Sequence, residues 1–175
     1  DTDRGRVYFW DGAAPTFNYY IEVPEGGVNA LLGNGSTLYI WAGYQNQLLE
    51  YHSNAVQSSS DKVKFLPKME TSTYSETYPQ AITMWRSLLR WGVSGNSNST
   101  TLPRGVYTYG KSSVRYPDVL SCDYIPSTGN SGSTVSIGLL MIVNRKLLIG
   151  WQDGTGFGMD YVDPTTTTFG KGTIE

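Results

Sequence analysis

Six carboxylates are the residues through which this sequence could do acid–base chemistry: Asp11, Glu50, Asp118, Asp123, Asp153 and Asp160. A glycosidase needs two carboxyl groups about 5–10 Å apart, one of them with a raised pKa. Most of the six lie in turn-forming stretches, where Asp bonds to nearby backbone, and turn chemistry is the stronger reading. His52 is the only histidine and Cys122 the only cysteine. A Ser-His-Asp triad would need His52, and no Gly-x-Ser-x-Gly elbow accompanies it. One His and one Cys cannot supply most of a four-ligand zinc set. The run Asp153-Gly154-Thr155-Gly156 through Asp160 lacks the alternating Asp pattern of a calcium loop and reads as a hairpin turn. Neither a metal nor a cofactor is expected, and catalysis is not.

Binding chemistry has a better foothold in the aromatics. Tyr44, Gln45 and Asn46 make a polar-aromatic loop expected to be exposed, and Trp151, Gln152 and Asp153 are its counterpart later in the chain. Tyr and Trp rings stack on sugars and carry a polar edge for orientation. These six residues are the candidate ligand contacts, although aromatics repeated along a chain are more often core. Asn34-Gly35-Ser36 and Asn98-Ser99-Thr100 fit the glycosylation tripeptide, a pattern that arises often by chance. Asn34 is better explained by its turn.

The elements that must position these residues are strands. Aromatics make up 13% of the chain, with 13 Tyr and 5 Trp, and 20 Gly supply turns. Such a composition suits pleated, half-buried surfaces. Charged residues are only 16% and the net charge is −2, so binding to nucleic acid through phosphates is disfavoured. The densest basic cluster, Lys62, Lys64 and Lys68, has the alternate spacing that protects a strand edge. No apolar run reaches the length that spans a membrane, and nothing resembles a signal peptide.

Two short patterns recur. One is an apolar strand ending in an aromatic: Val7-Tyr8-Phe9-Trp10, Leu48-Leu49-Glu50-Tyr51, Val106-Tyr107-Thr108-Tyr109 and Gly158-Met159-Asp160-Tyr161. The other ends at a Trp beside a Gly or one residue from it: Leu38–Gly43, Leu88–Gly92 and Leu147–Trp151. Strand-like repeats at a period of roughly 40–50 residues predict the blades of a β-propeller. The expected fold is all-β: one domain over residues 1–175, with about three to four antiparallel blades. A sheet with two apolar faces cannot cover both alone, so the blades must stack. The stack is expected to be a segment of a larger propeller or one completed by oligomerisation. Within it, Ala81–Trp91 is expected to form two strands despite apolar residues at helical spacing. Phe169–Glu175 is expected to begin a further unit.

By Lys64–Met69 (KFLPKM), Ala81–Ser94 (AITMWRSLLRWGVS), Arg104–Gly110 (RGVYTYG) and Ile149–Asp163 (IGWQDGTGFGMDYVD), the chain resembles the propeller-type repeats of tail-associated and other virion structural proteins of tailed phages. The resemblance spans roughly residues 5–170. It implies a non-enzymatic structural or host-recognition role in a virion, with other virion proteins, self-association or a host surface glycan as partners. It brings no catalytic residues. The alternatives are a carbohydrate-binding module that recognises a cell-surface glycan and, third, a glycoside-active propeller fragment.

Overall fold

The computed structural model describes residues 4–17, 19–43, 46–52, 63–65, 75–96, 104–111, 118–126, 134–154, 156–163 and 171–173. The protein is all-β, and among the described residues there is no helix. The chain divides into two compact units, Asp1–Met69 and Glu70–Glu175.

In the first unit, β1 (Arg4–Phe9) and β2 (Tyr19–Glu25) pair antiparallel as a two-stranded ribbon. β3 (Val28–Asn34), β4 (Thr37–Ala42), β5 (Gln47–His52) and β6 (Val63–Phe65) follow as an antiparallel meander in chain order. Because side chains alternate along a strand, Ile40 and Ala42 of β4 share a face with Leu49 and Tyr51 of β5. That face packs on Val7 and Val23 of the ribbon to make the unit's core. Phe9 stacks on Tyr19 at 4.5 Å and tilts against Tyr51 at 4.9 Å, and the Tyr19 and Tyr51 hydroxyls lie 2.5 Å apart.

Burial, with the hydrogen bond to Tyr19, pushes the Tyr51 hydroxyl up to about 12 from its ordinary 10. A raised phenol pKa favours the neutral form in the folded state. Its contribution to stability is complete below pH 10 and is lost as pH rises toward 12. Alkaline titration followed by denaturant melts should show stability falling across that window, and Tyr51→Phe should flatten the fall.

The second unit holds two more meanders. β7 (Ser75–Glu76) and β8 (Ile82–Trp85) pair along one side of β9 (Leu88–Asn96). The connection between them stays close to β9, with Thr77 Oγ1 donating to the Gly92 carbonyl at 2.9 Å and the Gly92 amide donating to the Ala81 carbonyl at 2.8 Å. β10 (Gly105–Gly110) and β11 (Val119–Tyr124) complete the first of these meanders. β12 (Thr134–Val143), β13 (Lys146–Gln152), β14 (Phe157–Val162) and β15 (Lys171–Thr173) form the second. The two meanders are stitched together by Thr134 and Val135 pairing with Asn96 and Gly95. Their facing sides bury Trp85, Val106 and Tyr124 against Ile137, Leu140, Leu147 and Ile149.

The strands of each meander open on a two-residue turn. Gly35-Ser36 joins β3 to β4, with Gly35 at φ +60°. Asn144-Arg145 joins β12 to β13 and Arg86-Ser87 joins β8 to β9, with both residues of each pair at positive φ. Ala81–Trp91 therefore turns back on itself as two strands, as expected. Ser87 sits at φ +61° without a glycine's freedom. A left-handed conformation costs an L-residue roughly 1–2 kcal/mol. Ser87→Gly is expected to raise stability by about 0.5–1 kcal/mol, read as a higher denaturation midpoint at unchanged m-value.

Two expectations need correction. Of Phe169–Glu175 the described part is Lys171–Thr173, which opens no new unit but pairs with Asp160–Val162 as the fourth strand of the last meander. The Trp-Gly pattern is also out of frame with the pleat. Counted from the turn, Trp41 is the fifth residue, Trp91 the fourth and Trp151 the sixth. Side chains alternate, so Trp91 and Trp151 share a face type while Trp41 points to the opposite one.

Candidate functional site

The polar residues that the strands carry inward are where chemistry could reside. Arg90 interrupts the apolar run of β9 and is 7% exposed. Its Nη1 donates to Asp123 Oδ2 at 2.6 Å. Thr108 Oγ1 of β10 donates to the same oxygen at 2.6 Å, and Ser121 Oγ donates to Asp123 Oδ1 at 2.7 Å. The registers of β9, β10 and β11 set Arg90, Thr108 and Ser121 in one row, and Asp123 joins them from the point where the β10–β11 register shifts. The guanidinium lies over the Trp85 ring at 5.1 Å. Burial lowers the Arg90 pKa from its ordinary value, while Asp123 acts against that shift. Asp123 thus spends both oxygens on this chain and serves as a strut across three strands.

Asp160 is a second inward carboxylate, on β14, and accepts a short hydrogen bond from the Tyr124 hydroxyl of β11. It links the two meanders of the second unit. Burial first, and then this bond, push the Tyr124 hydroxyl well above its ordinary range. Glu50, Asp123 and Asp160 lie in strands, as their stretches read, so only half of the six carboxylates, and not most, are left to turns and loops. Asp11 does sit in a turn, its Oδ1 accepting from the Ala13 and Ala14 amides at 2.9 and 3.0 Å.

The six candidate ligand contacts are placed as follows. Tyr44 and Gln45 lie outside the described residues. Asn46 is buried at 2% exposure, holds φ +53° and donates its amide to the Gly43 carbonyl. It shapes the turn, and the expectation of an exposed Asn46 is wrong because its side chain turns inward, where Asn29 Nδ2 donates to Asn46 Oδ1 at 3.5 Å. Trp151 is half-buried with its ring over Gly158, where a Cβ would lie 2.8 Å from Trp151 Cζ2. Gln152 is exposed and pairs with Phe157. Asp153 is buried: its amide donates to the Gly156 carbonyl and its Oδ1 accepts from the Gly156 amide, both at 2.7 Å. Of the six, only Gln152 is fully outward among the described residues. Phe157, which sequence reading passed over, is 86% exposed beside it.

The remaining nucleophile and base are engaged locally. His52 Nε2 lies 3.4 Å from Glu50 and its Nδ1 3.3 Å from Thr37 Oγ1. Burial pushes the Cys122 thiol up, away from the thiolate that would react. Among the described residues no three His, Cys, Asp or Glu side chains converge to hold a metal ion. No family model, curated protein or solved structure matches the chain.

Proposed function

We propose that this chain is a non-enzymatic component of a phage virion, in or near the tail, built as a stack of propeller-like blades. The observation that carries the reading is the recurrence of antiparallel meanders entered by two-residue turns, one a four-stranded sheet in the first unit and two joined in a nine-stranded sheet in the second. Its inward carboxylates act as struts, which supports a role of rigid presentation over catalysis. Its partners on this reading are other virion proteins, further copies of itself, or a host surface glycan met by loops at one rim. The test is direct. Peptides of the chain should be found by mass spectrometry in purified particles from the source of the sequence, and an antibody against it should label their tails. A chain present in the lysate but missing from the particles would overturn the proposal.

A second reading, glycan recognition, is favoured by Phe157 and Gln152 standing together and exposed at the end of the β13–β14 hairpin. Sugar addition is then expected to alter tryptophan fluorescence, since Trp151 lies on the same hairpin. Phe157→Ala should remove at least ten-fold in sugar affinity, about 1.4 kcal/mol. Stability should stay within about 0.5 kcal/mol, as for other surface changes. The glycoside-active reading has the least support, because Asp153→Asn or Asp160→Asn would disturb a turn or a meander contact before any chemistry.

A further inference from the structure

We propose that copies of this chain associate head to tail, the outward face of the β12–β15 meander of one copy seating on the aromatic face of the β1–β2 ribbon of the next. The inference rests on reading the meanders as blades and adds which two surfaces join.

Each unit contains one face-to-face packing, and the two follow the same rule. In the first, the ribbon's Val7 and Val23 side meets the Ile40 and Leu49 side of the next meander. In the second, the Val106 and Tyr124 side meets the Ile149 and Leu147 side of the next. One sheet thus offers its trailing face to the leading face of its successor. Val7-Tyr8-Phe9 in β1 and Val106-Tyr107-Thr108 in β10 carry the same pattern, with Val7 and Val106 both on trailing faces. Tyr8 and Tyr107 are therefore equivalent leading-face residues. Their environments differ sharply: Tyr107 is 3% exposed and Tyr8 is 49% exposed.

Around Tyr8 the ribbon gathers an aromatic patch. Phe17 lies 4.8 Å from it and Tyr20 5.8 Å, all three exposed, with Arg6 over the Tyr20 ring at 4.7 Å. In the second unit, the trailing face of the last meander is also exposed. Cross-strand pairing puts Met141 beside Leu148 and Leu139 beside Gly150 and Met159, with Phe157 beyond. Met141, Val143, Met159 and Phe157 are all exposed there. A monomer rarely leaves two contiguous apolar sheet faces in water. These two are of opposite type, one leading and one trailing, so the contact they make is heterologous and not a two-fold one. A second copy supplies both faces at once, in the pairing the chain already uses twice.

The test uses two charge-bearing variants of the full chain. Tyr8→Lys with Tyr20→Lys spoils the leading face, and Met141→Lys with Met159→Lys spoils the trailing face. All four positions are exposed, and circular dichroism with thermal melts should confirm that each variant is folded. The wild-type weight-average mass by light scattering should at least double as concentration rises. Each variant alone should stay at one chain mass. Mixed, they should form a one-to-one complex and stop there, because each keeps one sound face. A wild-type chain that stays monomeric throughout overturns the proposal. So does one variant that still self-associates, which would mean a two-fold contact. Neither result touches the particle-labelling test, so the proposed function stands or falls separately.

Discussion

Gly92→Ala is expected to destabilise the second unit by about 3 kcal/mol, at the upper end of overpacking costs. A Cβ at Gly92 would lie 2.4 Å from Ile137 Cγ2, 2.5 Å from Ile137 Cβ and 3.2 Å from Ala81 Cβ. The branch point of Ile137 cannot rotate away. Nor can its strand retreat: the Ile137 amide donates to Ser94 Oγ at 2.9 Å and the Leu140 amide to the Gln80 carbonyl at 2.9 Å. Ile137→Ala alone should cost about 2–5 kcal/mol through lost burial and a cavity. The double variant should cost less than the sum by about 1–3 kcal/mol, since the new methyl then occupies space the isoleucine has left. Urea denaturation of the four proteins reads all of this. Strict additivity would show that the close approach of β9 and β12 is not what demands glycine.

Asp123→Ala is expected to cost about 3 kcal/mol. It strands Arg90, buried and with no hydrogen-bond partner for its Nε among the described residues, and leaves the Thr108 and Ser121 hydroxyls without their acceptor. Removing one partner of a buried pair typically costs about 3–5 kcal/mol, and the 18% exposure of the Asp123 side chain sets the lower figure. Replacing both charges, Arg90→Met with Asp123→Leu, should recover about 2 kcal/mol of that loss, because no uncompensated charge is left inside. Denaturant midpoints of the wild-type, single and double variants give the comparison. A double variant no better than Asp123→Ala would show that the hydroxyl bonds, and not the ion pair, carry the cost.

How much of this could be read in the sequence depended on the kind of signal. Strand positions were legible because apolar and aromatic residues recur with turn residues between them, and the repeat carried Ala81–Trp91 past its helical spacing. The frame was not legible. A tryptophan is conspicuous at any of three successive positions, but the pleat inverts its direction with each step, so Trp41 and Trp91 look alike in letters and face opposite ways. The turn Arg86-Ser87 carries no Gly or Asn to announce its positive φ. Lys171–Thr173 is too short and polar to be told from the start of another unit.

At the candidate site, the loop residues were chosen for type, and type does not give burial. Asn46 and Asp153 are polar residues that close turns from inside. The strut of Arg90 and Asp123 did leave a trace, a single charge within each of two otherwise uncharged strands. Only their register shows that they meet.

The order of the strands also fixes how the chain can assemble as it is made. Nearly every strand bonds to one beside it in sequence, and among the described residues of the second unit only β7 and β12 reach past a neighbour, both to β9. Such local pairing keeps sequence separations short and folding fast. Each meander can close soon after its last strand leaves the ribosome, without waiting for the rest. The interval between Tyr124 and Thr134 is the exception. Until β12 arrives, the side of the nascent sheet that carries Trp85 and Val106 is bare to solvent. A chain in which β12 has not yet docked therefore shows water the apolar side that the core later covers, the kind of surface through which folding intermediates aggregate.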